Sequence, residues 1–97
     1  MIPLALAFDG EIADANEVGL SPLDRTVAFG DGLFETLRVV GTTPQHVARH
    51  LGRLQRSAAQ LQLRLPPETA IGAASERVIA AARATGCADD LRLKWLF

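Results

Sequence analysis

Three arginines, Arg49, Arg53 and Arg56, follow one another at spacings of four and three residues. On a helix those spacings fall on one narrow stripe, and His50 lies beside it. Like charges this close repel by a few tenths of a kcal/mol per pair, roughly, unless an anion or a carboxylate faces them. The planar guanidinium fork donates two parallel hydrogen bonds, which suits phosphate and carboxylate. The stripe therefore reads either as an anion site or as a solvated helix face, with Glu35 or Glu68 available to neutralise one charge.

Other residues offer weaker chemistry. Gly30-Asp31-Gly32 resembles a piece of a phosphate-cradling loop, but it lacks the third glycine of a dinucleotide fingerprint and the Gly-Lys-Ser/Thr end of a P-loop. It reads as a hairpin or bulge turn. Phe29 and Phe34 flank it and can wall a pocket for a flat or apolar ligand, or pack into the core. Lys94, the only lysine, can act as a Schiff-base nucleophile only if desolvation lowers its pKa, and a lysine on a terminal strand reads as a solvated edge residue. Cys87 follows a helix-capping glycine with no histidine near it in sequence, the pattern of a small buried hydrophobe. His46 and His50 have the spacing of a chelating pair, yet no third ligand accompanies them and His46 precedes the helix.

The elements that must position these residues are legible as patterns. Ile2 to Phe8 is a short apolar run before the turn pair Asp9-Gly10, and Glu11 to Ala13 can pair back as a second strand. Asp14 to Pro22 is a polar loop. From Leu33 to Val40 the chain alternates, placing Phe34 and Arg38 on one face of a strand and Leu33, Leu37 and Val39 on the other. After Gly41-Thr42-Thr43-Pro44 a helix is predicted from about Ala48 to Leu61, with Leu51, Leu54, Ala58 and Leu61 within about a quarter of its circumference. Pro66-Pro67 opens a second helix whose apolar face is Ile71, Ala74, Val78, Ala81 and Ala82, and Gly86 caps its end. The run LRLKWLF at the end is strand-like, and its Trp95, Leu96 and Phe97 must be buried or left sticky.

Composition sets outer bounds. With 97 residues, the chain is at most one domain. A content of 48% apolar and 22% charged residues is that of an ordinary globular domain. A formal charge of −1 argues against nucleic acid and anionic membrane as partners. The single cysteine excludes an internal disulfide and fits a reducing compartment, so a cytoplasmic location is expected. No apolar run approaches the roughly 18 residues that span a bilayer, and the first residues lack the basic start of a signal peptide.

The stretch from Asp24 to Ala58 resembles the N-terminal segment of the class IV pyridoxal-phosphate (PLP) enzymes, fold type IV. That family includes branched-chain aminotransferases, D-amino-acid transaminases and aminodeoxychorismate lyases. The resemblance rests on Asp24-Arg25, on FGDGLFETLR from Phe29 to Arg38, and on HLGRLQRSA from His50 to Ala58. It implies an α+β fold, a small antiparallel sheet packed against two helices, over residues 1–97. It implies PLP as cofactor, with Arg53 matching the arginine that holds its phosphate. Phe29 matches an aromatic position that reaches a substrate pocket, in several members that of the partner in a homodimer. Phe34 matches a second pocket-lining aromatic, and Arg92 lies near where some members bind a substrate carboxylate.

The resemblance also marks departures. The family's Schiff-base lysine lies in a larger C-terminal catalytic domain, and Lys94 does not match it. The tail Lys94-Trp95-Leu96-Phe97 departs from the family's continuation toward an Arg-Gly pair, which raises the expectation of a shifted reading frame. The chain is thus expected to be the N-terminal small domain of an aminodeoxychorismate lyase-like or amino-acid transaminase-like enzyme, without its catalytic domain and inactive alone. Its small-molecule substrate would be an amino acid or aminodeoxychorismate, and no metal ligand is assigned. The alternative is a non-catalytic α+β module for dimerisation or protein binding.

Overall fold

The computed structural model describes residues 3–97. A hairpin opens the chain, with β1 (Leu6–Phe8) and β2 (Glu11–Ala13) paired antiparallel so that Leu6 faces Ala13. Asp9 and Gly10 join the strands with φ of 50° and 84°, the double positive φ of a turn that matches strand twist. A polar loop leads to the short helix α1 (Arg25–Phe29). The second sheet contains β3 (Phe34–Val40), β4 (Thr43–Pro44) and β5 (Leu91–Leu96), in the order β4-β3-β5 and all antiparallel. Between β4 and β5 run the two long helices, α2 (Val47–Leu61) and α3 (Glu68–Ala84).

The expected α+β class and the two principal helices are present, but the strands form two small sheets. A third, five-residue helix also appears where no periodicity pointed to one. Alpha1 exists through its ends. Asp24 accepts the Thr26 amide at 2.8 Å, and Gly30 closes the helix in the left-handed region.

The strand alternation of β3 sorts its residues as expected. Leu37 and Val39 are fully buried with Glu35 on the same face, and Phe34, Thr36, Arg38 and Val40 face outward. Opposite it, β5 buries Leu93 and Trp95 and exposes Arg92, Lys94 and Leu96. The tail is therefore neither wholly buried nor wholly sticky, because period two divides it between the two faces.

The core lies between this sheet and the two helices. Leu54 of α2 and Ile71 and Ile79 of α3 close over Leu37, Val39, Leu93 and Trp95. On α3 the buried set is Ile71, Ser75, Ile79 and Ala82. Of the apolar face expected from the sequence, Ile71 and Ala82 are buried, while Ala74, Val78 and Ala81 are half-buried at its margin. With Ile71, Ile79 and Ala82 turned inward, Ser75 lies on the same face and meets Trp95. Its indole Nε1 donates to Ser75 Oγ at 2.9 Å, and that hydroxyl donates to the Ile71 carbonyl at 2.7 Å. At the far end of α3, Arg83 donates to the carbonyls of Gly41, Cys87 and Asp89, tying the helix to the β3–β4 turn and to the approach to β5. Gly86 follows the Thr85 cap with φ of 89°, in the place expected for a terminating glycine.

Leu37→Ala is expected to cost about 2–5 kcal/mol. Ser75→Ala, which strands a buried indole N–H, should cost about 1–3 kcal/mol. Urea titration of both variants measures these losses, and a Ser75→Ala cost below about 0.5 kcal/mol would mean that water replaces the hydroxyl.

Candidate functional site

Alpha2 presents its arginines as the spacing predicts. Arg49, Arg53 and Arg56 line an open recess of about 480 Å³ together with His46, Ala48, His50 and Gly52. The recess lies on the side of the helix away from Leu54 and Ala58, which are buried.

Arg53 is the best-defined member. Its Nε donates to Glu35 Oε1 at 2.7 Å and its Nη2 to Glu35 Oε2 at 2.6 Å, a two-bond fork between α2 and β3. His50 Nδ1 lies 2.7 Å from the same Oε2. An ionised carboxylate only accepts, so His50 carries its proton on Nδ1 and donates. The 3.5 Å approach of Arg53 Nη2 to His50 Nδ1 is then a contact between two donors rather than a hydrogen bond. Glu35 is 6% exposed, yet each of its oxygens has a donor. The hydrogen bond from Arg53 holds its pKa down to about 2; burial opposes this, and His50 adds to it. The same pairing raises the pKa of Arg53.

The sequence offered Glu35 or Glu68 as a neutralising partner. Glu35 takes that role, while Glu68 accepts instead from Gln55 Nε2 at 2.6 Å. The Arg53 side chain remains 62% exposed. With Nε and one Nη2 hydrogen engaged, its other three N–H groups are directed away from Glu35 and can hold an anion. Among the described residues Arg49 and Arg56 pair with no carboxylate.

The other candidates lie elsewhere. Phe34 and Arg92 share the outer face of the sheet, where Arg92 stands opposite Arg38 and Arg38 is paired with Asp90. Lys94 lies on that face too, its Nζ 4.7 Å from the centre of the Phe34 ring. Phe29 sits at the end of α1, 72% exposed, with the Arg25 guanidinium 5.7 Å from its ring. The structure thus brings Phe34 and Arg92 onto one surface and leaves Arg53 on the other side of β3, paired with Glu35. Glu35 and Phe34 are consecutive, so β3 sends one side chain inward to Arg53 and the next outward to Lys94.

Gly30-Asp31-Gly32 forms no anion loop. Gly30 ends α1, and Asp31 pairs with Arg25 at 2.6 Å. A Cβ on Gly32 would stand 2.7 Å from Thr26 Cγ2 and 3.0 Å from the Phe97 carbonyl, so only glycine fits. Among the described residues no three His, Cys, Asp or Glu side chains converge as metal ligands, and no helix is long and apolar enough to cross a membrane.

Comparison with known proteins places this geometry. No family model matches the chain. It is 40% identical over 58 residues to a D-alanine aminotransferase from Staphylococcus haemolyticus, covering 60% of the chain and 21% of that protein. A D-alanine aminotransferase from Bacillus licheniformis is 29% identical over 62 residues, covering 64% of the chain and 22% of that protein. A hypothetical aminotransferase from Mycobacterium tuberculosis in its PLP-bound form superposes with a TM-score of 0.79 at 30% identity, covering 98% of this chain and 32% of that one. The fold IV-transaminase CpuTA1 from Curtobacterium pusillum gives a TM-score of 0.74 at 33% identity, covering 88% of this chain and 28% of that one. The chain is similar in sequence and in fold to the N-terminal portion of fold type IV aminotransferases. It spans about a fifth of the two curated relatives and about a third of the solved structures.

The depressed pKa of Glu35 fixes the sign of a pH effect. A carboxylate held lower in the folded chain stabilises it above the unfolded value of 4.5, and that contribution is lost as pH falls toward 2. Wild type is expected to exceed Glu35→Gln in stability by on the order of 2–3 kcal/mol at pH 7, allowing for the exposed half of the pair. The difference should close between pH 4.5 and about 2. Denaturant titrations of both proteins across that range test it, and a gap that stays constant with pH would show that the carboxylate charge is not its source.

Proposed function

We propose that these 97 residues serve as the N-terminal domain of a PLP-dependent aminotransferase of fold type IV, with the cofactor's phosphate held at the α2 recess. Arg53 carries this reading. It occupies the position that the resemblance assigns to the phosphate, its inner N–H groups are locked by a buried carboxylate, and its outer ones open on a recess lined by two further arginines. The similarity to a PLP-bound aminotransferase supports the same assignment. When bound, PLP supplies an electron sink for transamination or elimination.

The rest of the site is assigned on the same basis. Phe34 and Arg92, on the outer face of the sheet, shape the substrate side, with Arg92 suited to a carboxylate. Phe29, projecting from α1, reaches across a homodimer interface, and the exposed Leu23 and Val27 beside it provide apolar surface for that contact. The lysine that carries the cofactor belongs to a larger C-terminal domain outside the 97 residues. Lys94 stands exposed above Phe34, and the chain alone is inactive. An amino-acid transaminase is preferred because the curated relatives are D-alanine aminotransferases, and the single cysteine supports a cytoplasmic location. The wording GDGLFETLR supports aminodeoxychorismate lyase as the second enzymatic reading. A non-catalytic dimerisation module draws its support from the exposed apolar side of α1.

Two measurements test this. Pyridoxine 5′-phosphate has no aldehyde to react with Lys94, so its binding isolates the phosphate contact. It should bind the 97-residue chain, and Arg53→Ala should weaken it by about tenfold to a hundredfold. Translating the gene beyond the Phe97 codon in three frames should disclose a larger domain with a candidate lysine. Self-association without affinity for the phosphate would instead favour the non-catalytic module.

A further inference from the structure

The three-stranded sheet has two unequal edges. At one, β4 is only two residues long and ends in Pro44, which has no N–H, so it gives little to a further strand. At the other, β5 runs for six residues and pairs only with β3. The direction of its backbone groups follows from one pair. The Leu33 amide donates to the Phe97 carbonyl and the Phe97 amide to the Leu33 carbonyl, both at 2.8 Å, which marks a hydrogen-bonded pair of the antiparallel ladder. Counting back in register, Trp95, Leu93 and Leu91 also turn N–H and C=O toward β3, and Arg92, Lys94 and Leu96 turn theirs away. The other side of β3 agrees, since the Gln45 amide donates to the carbonyl of Arg38, the residue opposite Arg92. Among the described residues no backbone group bonds the outward amides and carbonyls of Arg92, Lys94 and Leu96.

Charge makes this edge selective. Arg92, Lys94 and Leu96 are exposed on the outer face. Arg38 beside them is answered by Asp90, whereas Arg92 and Lys94 meet no carboxylate among the described residues. A second copy of β5 is a poor occupant. Antiparallel pairing centred on Lys94 sets that lysine against itself, and pairing centred on Leu93 sets Arg92 against Lys94. Like charges directly opposite destabilise a strand pair.

We propose that the free edge of β5 is a strand-addition site for an extended acidic segment of a partner protein, with carboxylates two residues apart facing Arg92 and Lys94. Incoming residues paired with Arg92 and Lys94 place their side chains on the same outer face, and the residue between them extends the apolar inner row of Leu93 and Trp95. The main chain supplies affinity, and the alternation of acidic and apolar side chains supplies selectivity. None of this depends on what the α2 recess holds.

The test uses the full chain and a blocked peptide, Thr-Val-Val-Glu-Val-Glu-Thr, whose glutamates fall opposite Lys94 and Arg92 in an antiparallel register. Amide exchange followed by NMR reads the edge directly. In the free chain the amides of Arg92, Lys94 and Leu96 should exchange about tenfold or more faster than those of Leu93 and Trp95, and saturating peptide should slow those three about tenfold or more. Methylating the peptide nitrogens that face Arg92, Lys94 and Leu96 removes the donors and should weaken binding about tenfold or more. Lysine in place of both glutamates should weaken it by a similar factor at low salt. The Arg92→Glu/Lys94→Glu chain, with an unchanged circular dichroism spectrum, should reverse that preference.

If the methylated peptide binds as well as its parent, the contact is made by side chains alone and strand addition is overturned. Equal binding of the glutamate and lysine peptides overturns the acidic occupant. Protection of the three amides that grows with protein concentration in the absence of peptide makes a second copy the occupant and overturns it likewise. Unchanged exchange at millimolar peptide overturns the site itself.

Discussion

A carboxylate buried between a strand and a helix is tolerated only when charge and hydrogen bonding are both answered, and Glu35 meets that requirement through Arg53 and His50. All three side chains are constrained at once. The strand must hold Glu35 inward, so Leu37 and Val39 follow it into the core and Phe34 is turned out. The helix must offer Arg53 on its flank, so Leu54 and Ala58 face the sheet and the remaining arginines face away. The Glu35–Arg53 pair thus fits both the packing of α2 on β3 and the set of side chains that line the recess.

That pair was only half legible in the sequence. The strand alternation, the buried leucines of α2 and the arginine stripe all follow from periods of two and 3.6 residues, which side-chain chemistry displays directly. Period two places Glu35 on the face of Leu33, Leu37 and Val39, but no local pattern says which of the neighbouring cations answers its charge there. Only the arrival of α2 decides that partner. Ser75 was missed for a similar reason, since its burial answers the indole of Trp95 from another element. Alpha1 is too short to show periodicity, although Asp24 and Gly30 at its ends were its available signals. The Gly-Asp-Gly turn was read as backbone geometry, and it proved to be shaped by close approach to Thr26 and to the last carbonyl of the chain.

The two faces of β3 divide the chemistry. Inward, Glu35 fixes the guanidinium of Arg53; outward, Phe34 shares its surface with the three cations Arg38, Arg92 and Lys94. Arg38 is held by Asp90, and Lys94 rests over Phe34, so two of the three cations on that face are already engaged within the chain. Arg92 is left as the cation there with no acidic partner among the described residues, which agrees with its proposed role toward a carboxylate.

The pairing of β3 with β5 has a kinetic consequence. The hairpins β1–β2 and β3–β4 close over a few residues, and each helix is local, but Val39 meets Leu91 only after both long helices have been traversed. Closing a flexible loop of roughly fifty residues costs about 3–4 kcal/mol of chain entropy. Docking of β5 is therefore the natural late event in assembly, preceded by a β3–β4–α2 unit in which the Glu35–Arg53 pair can already form. Until β5 arrives, the inner face of β3 lacks Leu93 and Trp95, so the central strand is open on one edge at the stage when its apolar side chains are least covered.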